Sequence, residues 1–98
     1  MFVVESEVLV ALEGQAALET AFSNRLHGVD AVDGFMGLEV WHDRKDGCRF
    51  VMVTRWDSRD SYRAYMRSPA NRISHARVPK GEHAPRPGRY SEYELVGR

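Results

Sequence analysis

The sequence predicts an α+β domain of the ferredoxin-like class, a split β-α-β arrangement with the element order βαββαβ. Two observations support this prediction. Segments with strand periodicity and segments with helix periodicity follow one another in that order. The pair Asp46-Gly47 stands between the two central strand segments, where it favours a tight hairpin turn. The 98 residues suffice for one hydrophobic core, so we expect residues 1–98 to form a single domain.

The first strand and the first helix follow from the spacing of apolar residues. Residues 1–12 are rich in Val and Leu and include glutamates at alternate positions, as is typical of a strand. Over residues 15–29 apolar side chains recur at helical spacing, which predicts a helix. Gly28 lies near its predicted end, where glycine favours a left-handed cap.

The predicted hairpin is apolar on both faces. It consists of residues 35–42, the turn 44–47 and residues 48–56. In its first arm one face holds Met36, Leu38 and Val40, and the other holds Phe35 and Trp41. An antiparallel sheet with helices on one side normally presents a polar second face to water. The chain has no spare helix to cover an apolar one. We therefore predict a homodimer through the sheet face.

The second half of the chain contains two helix-start signals. A helix is expected to begin after the capping side chains of residues 57–60 and to end near Ser68. The pair Ser68-Pro69 then predicts a short third helix over 69–78. Residues 79–89 are rich in proline and glycine, which predicts a loop, and the alternation over 90–96 predicts the last strand.

The formal net charge is zero, but the two halves of the chain differ in sign. Residues 1–46 carry nine acidic and three basic side chains, and residues 47–98 carry eleven basic and five acidic ones. Nucleic-acid binders usually have an overall basic excess, so no nucleic-acid partner is expected. No apolar run approaches the roughly 18 residues of a membrane span. With one cysteine, Cys48, and no basic lead typical of a signal peptide, we expect a cytoplasmic protein.

His75 has the most informative surroundings of the four histidines. The sequence has no HExxH, no CxxC, no nucleophile elbow and no glycine-rich phosphate loop. His75 lies on the predicted third helix, and from Arg67 to Arg89 there are six bases and one acid, Glu82. A neutral imidazole among guanidinium groups suits an anionic ligand or a metal-bearing anionic cofactor. The alternative interpretation is a solvated basic helix face.

Four features together resemble the antibiotic biosynthesis monooxygenase superfamily over nearly the whole chain. They are the element order, the segment Gly34-Phe35-Met36-Gly37, the strand end Thr54-Arg55-Trp56-Asp57-Ser58, and the stretch Ala64-Tyr65-Met66-Arg67-Ser68 that leads to His75. The spacing from Tyr65 through Ser68 to His75 is similar to that of the IsdG-like haem-degrading monooxygenases.

The resemblance implies a dimeric α+β barrel that binds one haem per protomer. It also implies that the haem is cleaved with dioxygen and with electrons from an external donor, and that His75 is the proximal iron ligand. Arg72, Arg77 and Arg86 are candidates for binding the propionates, an assignment made from their charge.

Two positions depart from the pattern of the family. Members with established catalysis place an asparagine on the first strand, and the matching position falls on Ser6 or Glu7. They also place a tryptophan about ten residues before the histidine, where this chain has Tyr65. The resemblance therefore makes Ser6, Glu7 and Tyr65 the candidate catalytic residues.

Two other functions remain open at this point. One is a cofactor-free monooxygenase of the same superfamily that acts on a small aromatic substrate, a phenol or quinol. The other is a non-catalytic dimeric module that binds a small molecule.

Overall fold

The computed structural model describes residues 1–25, 27–76 and 79–98, and of residues 74–76 it describes the backbone. These residues form four strands and three α-helices, numbered here in chain order: β1 (Phe2–Leu9), α1 (Gln15–Ser23), β2 (Phe35–His42), β3 (Arg49–Trp56), α2 (Arg59–Met66), α3 (Pro69–Ala76) and β4 (Arg86–Glu94). Short 3-10 turns occur at Leu12–Gly14 and Gly28–Ala31.

The four strands form one antiparallel sheet in the order β2-β3-β1-β4. The first and third strands are therefore central, and the hairpin partner β2 and the last strand β4 are the edges. This order and the helical connections confirm the predicted ferredoxin-like class. None of the helices in the described part of the chain has the length and hydropathy that crossing a membrane requires.

The first helix is shorter than predicted. It ends at Ser23, where the N–H of Asn24 bonds to the Thr20 carbonyl, and Gly28 begins a 3-10 turn without a positive φ. The predicted helix is therefore confirmed at its start, whereas its extension to residue 29 and the left-handed cap at Gly28 were wrong. The turn lets Val29 enter the core, where it is buried, and this tertiary gain outweighs the helical periodicity.

The break between α2 and α3 is confirmed, and hydroxyl caps explain it. Ser58 Oγ accepts from the N–H of Ser61 at 3.2 Å, at the start of α2. Ser68 Oγ accepts from the N–H of Asn71 at 3.3 Å, at the start of α3, and donates to the Tyr65 carbonyl at 2.6 Å. The predicted end of this third helix at residues 77–78 lies outside the described residues.

The last strand begins earlier than predicted, at Arg86, because β1 offers it a pairing partner as far as Leu9. The loop therefore ends before residue 86, although the proline and glycine of residues 87–88 favoured a loop to 89. A bulge accommodates them: two residues of β4, Gly88 and Arg89, lie opposite the single residue Glu7 of β1.

A second bulge corrects the predicted faces of the hairpin. The register of β2 against β3 shifts between Phe35 and Gly37. As a result Phe35 shares a face with Leu38 and packs on Trp56, with ring centroids 5.4 Å apart, whereas Met36 is exposed. The prediction that Met36 lies on the same face as Leu38 was wrong, because the extra residue of a bulge reverses the face on which the side chains before it lie.

The core consists of two clusters under the helices. One lies beneath α2 and contains Phe2, Val4, Val29, Trp56 and Tyr62. The other lies beneath α1 and contains Val10, Leu18 and Phe50. Ser6 of β1 lies in the middle of the sheet, between the two clusters.

The second face of the sheet is mixed rather than wholly apolar. It carries Val3, Val51, Val53, Trp41 and Tyr93 together with the ion pairs of Arg49 with Glu7 and Arg55 with Glu39. Trp41 and Tyr93 are exposed on it.

Candidate functional site

Ser6 lies on the helix-covered face of the sheet. It shares this face with Phe2 and Val4, which are buried, and is itself partly buried. Its partners across the sheet are Met52 on β3 and Tyr90 on β4. The hydroxyl of Ser6, which can donate one hydrogen bond, is therefore placed in the gap between the two core clusters.

Glu7 lies on the opposite face, where its carboxylate bonds to residues of both neighbouring strands, β3 and β4. Its Oε2 accepts from Arg49 Nε at 2.5 Å, and its Oε1 accepts from the backbone N–H of Arg89 at 2.9 Å. These bonds lower the pKa of Glu7, with the Arg49 hydrogen bond the largest cause and the Arg89 N–H the next. Ser6 and Glu7, the two residues that could match the family's asparagine, therefore lie on opposite faces of the sheet, and Ser6 is the one on the helix-covered face.

A cavity of about 250 Å³ lies between α1 and the helix-covered face of the sheet. Its lining is half apolar and half polar; the lining residues are Glu19, Phe22, Ser23, Arg25, Leu38, Val40, His42 and Phe50. The apolar side chains offer contacts to an aromatic ring, and the polar ones offer hydrogen-bonding and charged groups to its substituents.

Arg25 is the base at the rim of this cavity. Its Nη2 lies 3.3 Å from Asp30 Oδ1, and the other oxygen of Asp30 lies 2.9 Å from His27 Nδ1. The hydrogen bond from His27, followed in size among the favourable causes by the charge of Arg25, lowers the pKa of Asp30. Sequence reasoning did not select Arg25, although it is the one base in the acidic first forty residues.

His42 is the last residue of β2 and lines the cavity. Its ring stacks on Phe50 at a centroid distance of 4.1 Å and an interplanar angle of 7°. Nε2 lies 2.8 Å from the Gly47 carbonyl, which can only accept, so Nε2 carries the hydrogen and Nδ1 is left as an acceptor. The hairpin turn thus fixes both the orientation and the tautomer of this imidazole.

Tyr65 packs on Trp56 at a centroid distance of 5.4 Å and does not line the α1 cavity. It borders a separate open groove of about 430 Å³ between α2 and the loop that precedes β2. The other residues of this groove are Val32, Asp33, Asp60, Ser61, Ala64 and Ser68. Tyr65 is thus partly buried against the core cluster beneath α2 and is not among the residues that line the α1 cavity.

The predicted basic residues are distributed over two places. His75 and Arg72 both lie on α3, Arg72 is exposed, and the side chain of His75 and all of Arg77 lie outside the described residues. Arg86 begins β4 opposite Leu9, on the face that also holds Glu7. The structure thus brings Arg72 and His75 onto one helix and separates Arg86 from them.

The position of α3 relates it to the cavity. The helix packs against the Gly28–Ala31 turn, which contains Asp30, the partner of Arg25. Arg25 lines the cavity, so the helix that carries His75 is linked to the cavity through Asp30 and Arg25.

A haem would need fewer protein ligands than a free metal ion does. No three His, Cys, Asp or Glu side chains within residues 1–25, 27–73 and 79–98 are grouped as a free metal ion would require. A haem iron needs only an axial ligand from the protein, because the porphyrin supplies the equatorial nitrogens. For the rest of such a group, Phe22, Val40 and Phe50 offer apolar contacts to a porphyrin ring and Arg25 offers a guanidinium to a propionate.

The comparisons with known proteins agree with this fold. The model of the antibiotic biosynthesis monooxygenase family matches residues 1–77. The mycobilin-producing haem oxygenase of Mycobacterium tuberculosis is 34% identical over 53 residues, which cover 54% of this chain and 50% of that protein. The chain thus spans about half the length of the curated relatives it matches.

Solved structures extend the similarity of the fold to the whole chain. The haem degrader MhuD from Mycobacterium tuberculosis, solved with two haems in its active site, has a TM-score of 0.79 at 24% identity, covering 100% of this chain and 98% of that one. SnoaB, a cofactor-independent oxygenase from Streptomyces nogalater, has a TM-score of 0.79 at 12% identity, covering 99% and 94%. Because the family model spans residues 1–77, well over half of the sequence, the chain belongs to the antibiotic biosynthesis monooxygenase family.

Proposed function

We propose that the protein is a haem-binding, haem-degrading monooxygenase that uses dioxygen and electrons from an external donor, with His75 as the proximal iron ligand. The observation that supports this most is the local sequence similarity to a haem oxygenase at 34% identity, together with the α1 cavity, whose Arg25 pairs with Asp30 on the turn that contacts α3. Bound haem supplies the iron that activates dioxygen and is also the molecule that is oxidised.

The residues of the chain bind and orient this substrate. Phe22 and Val40 are apolar walls against which a porphyrin face packs, and Arg25 at the rim is suited to a propionate. Arg72 and Arg77 on and after α3 are the candidates for the second propionate. Arg86 would have to reach around the edge of the sheet to contribute, since it lies on the far face.

Ser6 is the polar group that this proposal assigns to the distal side. Its hydroxyl offers one hydrogen bond where an asparagine would offer two N–H donors. Glu7 is tied to Arg49 on the opposite face, so its carboxylate stays out of the site.

The size of the α1 cavity gives the proposal a geometric consequence. Its volume of about 250 Å³ is just below the 300–1,000 Å³ typical of pockets for drug-sized ligands. A porphyrin must therefore extend beyond it, across the Ser6 gap and toward α3.

Titration of the purified protein with haemin tests the ligand assignment. We expect a Soret band typical of a histidine ligand in the parent and its loss, with weaker binding, in His75→Ala. The matched control is His83→Ala, an exposed histidine in the loop before β4. A His75→Ala variant that binds haemin as tightly as the parent would overturn the assignment.

Turnover is a separate test. With ascorbate or a reductase as electron donor, we expect the Soret band of the complex to bleach as oxygen is consumed. If haem is bound and oxygen is not consumed, the proposal of degradation fails while haem binding stands. Arg25→Gln should weaken haemin binding if this guanidinium pairs with a propionate.

A second candidate is a cofactor-free monooxygenase that acts on a phenol or quinol, in which case the substrate itself activates dioxygen. The observation that favours it is the fold similarity to SnoaB, combined with a cavity closer in volume to a small aromatic than to a porphyrin. Oxygen uptake by haem-free protein in the presence of a naphthoquinol would support it. No uptake with either haem or quinol would leave a non-catalytic binding module.

We also propose a homodimer through the second face of the sheet. Trp41 and Tyr93 are exposed there beside the partly buried Val51 and Val53. A second copy of the same face would bury these side chains, and the ion pairs of the face would lie among them.

A further inference from the structure

Four aromatic side chains form a continuous series from the groove beside α2 to the β4 edge of the sheet. The ring of Tyr65 packs on Trp56 with a centroid distance of 5.4 Å, and Trp56 packs edge-on against Tyr62 at 5.6 Å. The hydroxyl of Tyr62 lies 3.0 Å from the hydroxyl of Tyr90. The first three rings are thus in contact with one another in turn, and the fourth is joined to the third by a hydrogen bond between hydroxyls.

The inner members of the series are shielded from water and its ends are not. Trp56 is 0% exposed and Tyr62 is 8% exposed. Tyr65 borders the groove, and Tyr90 is 51% exposed on the last strand. The series therefore connects two separate surfaces through the core.

The outer end of the series has a base for its proton. Tyr90 Oη donates to Glu92 Oε2 at 2.5 Å. A phenol has a single hydrogen, so when Tyr90 donates to Glu92, Tyr62 donates to Tyr90. The other oxygen of Glu92 lies 3.5 Å from Arg59 Nε, so the carboxylate is also paired with a guanidinium.

Packing of the core does not require this carboxylate. The rings of Tyr62 and Trp56 would bury the same apolar area without Glu92, which is on the solvent side of the network. A hydrogen-bonded base is, however, what a tyrosine needs in order to give up an electron, because the oxidised phenol is a strong acid whose proton must leave.

We propose that Tyr65, Trp56, Tyr62 and Tyr90 form a one-electron path that carries an oxidising equivalent from the groove beside α2 to the surface at β4. An oxidant in the groove takes one electron from Tyr65. Electron transfer through Trp56 and Tyr62 then refills Tyr65 with an electron from Tyr90. The phenolic proton of Tyr90 moves to the carboxylate of Glu92, which leaves a neutral tyrosyl radical. One electron and one proton thus leave Tyr90, and the oxidant is reduced by one electron.

The use of this path rests on the proposed function, since an oxygenase that reduces dioxygen incompletely releases hydrogen peroxide, which is small enough to diffuse to the groove and from which ferrous iron generates hydroxyl radical, a one-electron oxidant. The path would move such an equivalent away from the core to a surface residue, where an external reductant can quench it. Its conductivity is a property of the aromatic residues and does not depend on haem.

Photochemical oxidation of the haem-free protein tests the path. Ala64 is exposed on α2 and adjoins Tyr65, so an Ala64→Cys substitution in a Cys48→Ser background can carry a ruthenium polypyridyl label. After a flash in the presence of an electron acceptor, the Ru(III) label takes one electron from the protein. We expect a tyrosyl radical in transient absorption and electron paramagnetic resonance.

Three variants separate the path from other tyrosines. Tyr90→Phe keeps the ring, and we expect it to abolish the tyrosyl signal and to lengthen the lifetime of the tryptophan radical. Glu92→Gln should slow the formation of the tyrosyl radical. Tyr93→Phe, the control, removes a neighbouring tyrosine of similar exposure on the opposite face and should leave the signal unchanged. An undiminished tyrosyl signal in Tyr90→Phe would overturn the proposal.

A second measurement tests the protective use of the path. This measurement uses protein without the ruthenium label. The parent and Tyr90→Phe are exposed to hydrogen peroxide with haemin, and oxidised Trp56 is quantified by mass spectrometry. We expect more oxidation of Trp56 in Tyr90→Phe, and equal oxidation would reject the protective use. A failed haemin titration would reject the haem proposal and leave the photochemical result intact, so the two failures are distinguishable.

Discussion

Arg49 Nε donates a hydrogen bond to Glu7 Oε2 at 2.5 Å, from the diagonal position across the ladder that joins β3 to β1. The same guanidinium donates through Nη1 to Asp43 Oδ2 at 3.1 Å, just beyond β2. The second oxygen of Glu7 accepts from the N–H of Arg89, within the bulge of β4. One carboxylate thus links β1 to both neighbouring strands, and its arginine continues the link to the hairpin turn.

Replacement of Glu7 by Gln should lower stability at neutral pH. The hydrogen bonds from Arg49 and Arg89 hold the pKa of folded Glu7 below its ordinary value of 4.5. The unfolded chain therefore takes up this proton at a higher pH than the folded chain does. The stabilisation is present above 4.5 and is lost as the pH falls through the lowered pKa.

The measurement is the melting temperature of the parent and of Glu7→Gln as a function of pH. We expect the variant to melt lower at neutral pH and the difference to shrink below 4.5. Glu5→Gln, on the same strand and face but without such a bond among the described residues, is the control. A difference that stays constant from neutral to acid pH would contradict the ion-pair explanation.

Local signals in the sequence predicted the elements, and contacts distant in sequence decided where the prediction failed. Ser68 and the proline after it determine the α2–α3 break by themselves, so that break was predictable. The bulge in β2 exists because Phe35 packs on Trp56, twenty-one positions away in the sequence. The early end of α1 likewise depends on the burial of Val29. Neither partner can be identified from a local window.

The candidate site was predictable to a similar extent. Strand alternation puts Ser6 and Glu7 on opposite faces, but the sequence does not say which face meets the helices, and that depends on where α1 and α2 pack. Arg25 was missed because its role depends on the turn that follows α1 and on its contact with Asp30. His42 was missed because its orientation depends on Phe50 across the hairpin.

Gly34 should tolerate substitution least among the glycines with positive φ. Its φ is 84°, and a Cβ there would overlap Ser61 Oγ and Asp57 Oδ1. Its carbonyl also accepts from the N–H of Asp57 at 2.8 Å, which fixes this close approach. Gly81 has a φ of 106° but open space around it, so Gly81→Ala introduces backbone strain without overlap.

Urea unfolding of the two alanine variants separates strain from overlap. We expect Gly81→Ala to lose about 1–3 kcal/mol, the usual cost of a strained backbone, and Gly34→Ala to lose clearly more. Equal losses would mean that the α2 start shifts to accommodate the methyl group at residue 34.

Leu18 should dominate the stability of the cluster beneath α1. Its side chain is 1% exposed and packs with Val10 and Phe50. Leu18→Ala removes buried methyl groups and leaves a cavity, so we expect a loss of about 2–5 kcal/mol in the free energy of unfolding. Leu12→Ala is the matched control, because Leu12 is 74% exposed, and it should change stability by less than about 0.5 kcal/mol. A loss for Leu18→Ala as small as that of the control would mean that the cluster collapses around the vacated space.

The proposed homodimer predicts that Trp41 is essential for association. Trp41 is 57% exposed and Tyr93 is 50% exposed on the sheet face that lacks helices, and a charge placed among them would have to be desolvated in the dimer. We expect the parent to sediment as a dimer at micromolar concentration and Trp41→Glu to sediment as a monomer with unchanged far-ultraviolet circular dichroism. Met66→Glu, which adds the same charge at an exposed position at the end of α2, should remain a dimer. A parent that is monomeric at micromolar concentration would reject the dimer, and a dimeric Trp41→Glu would move its interface away from this face.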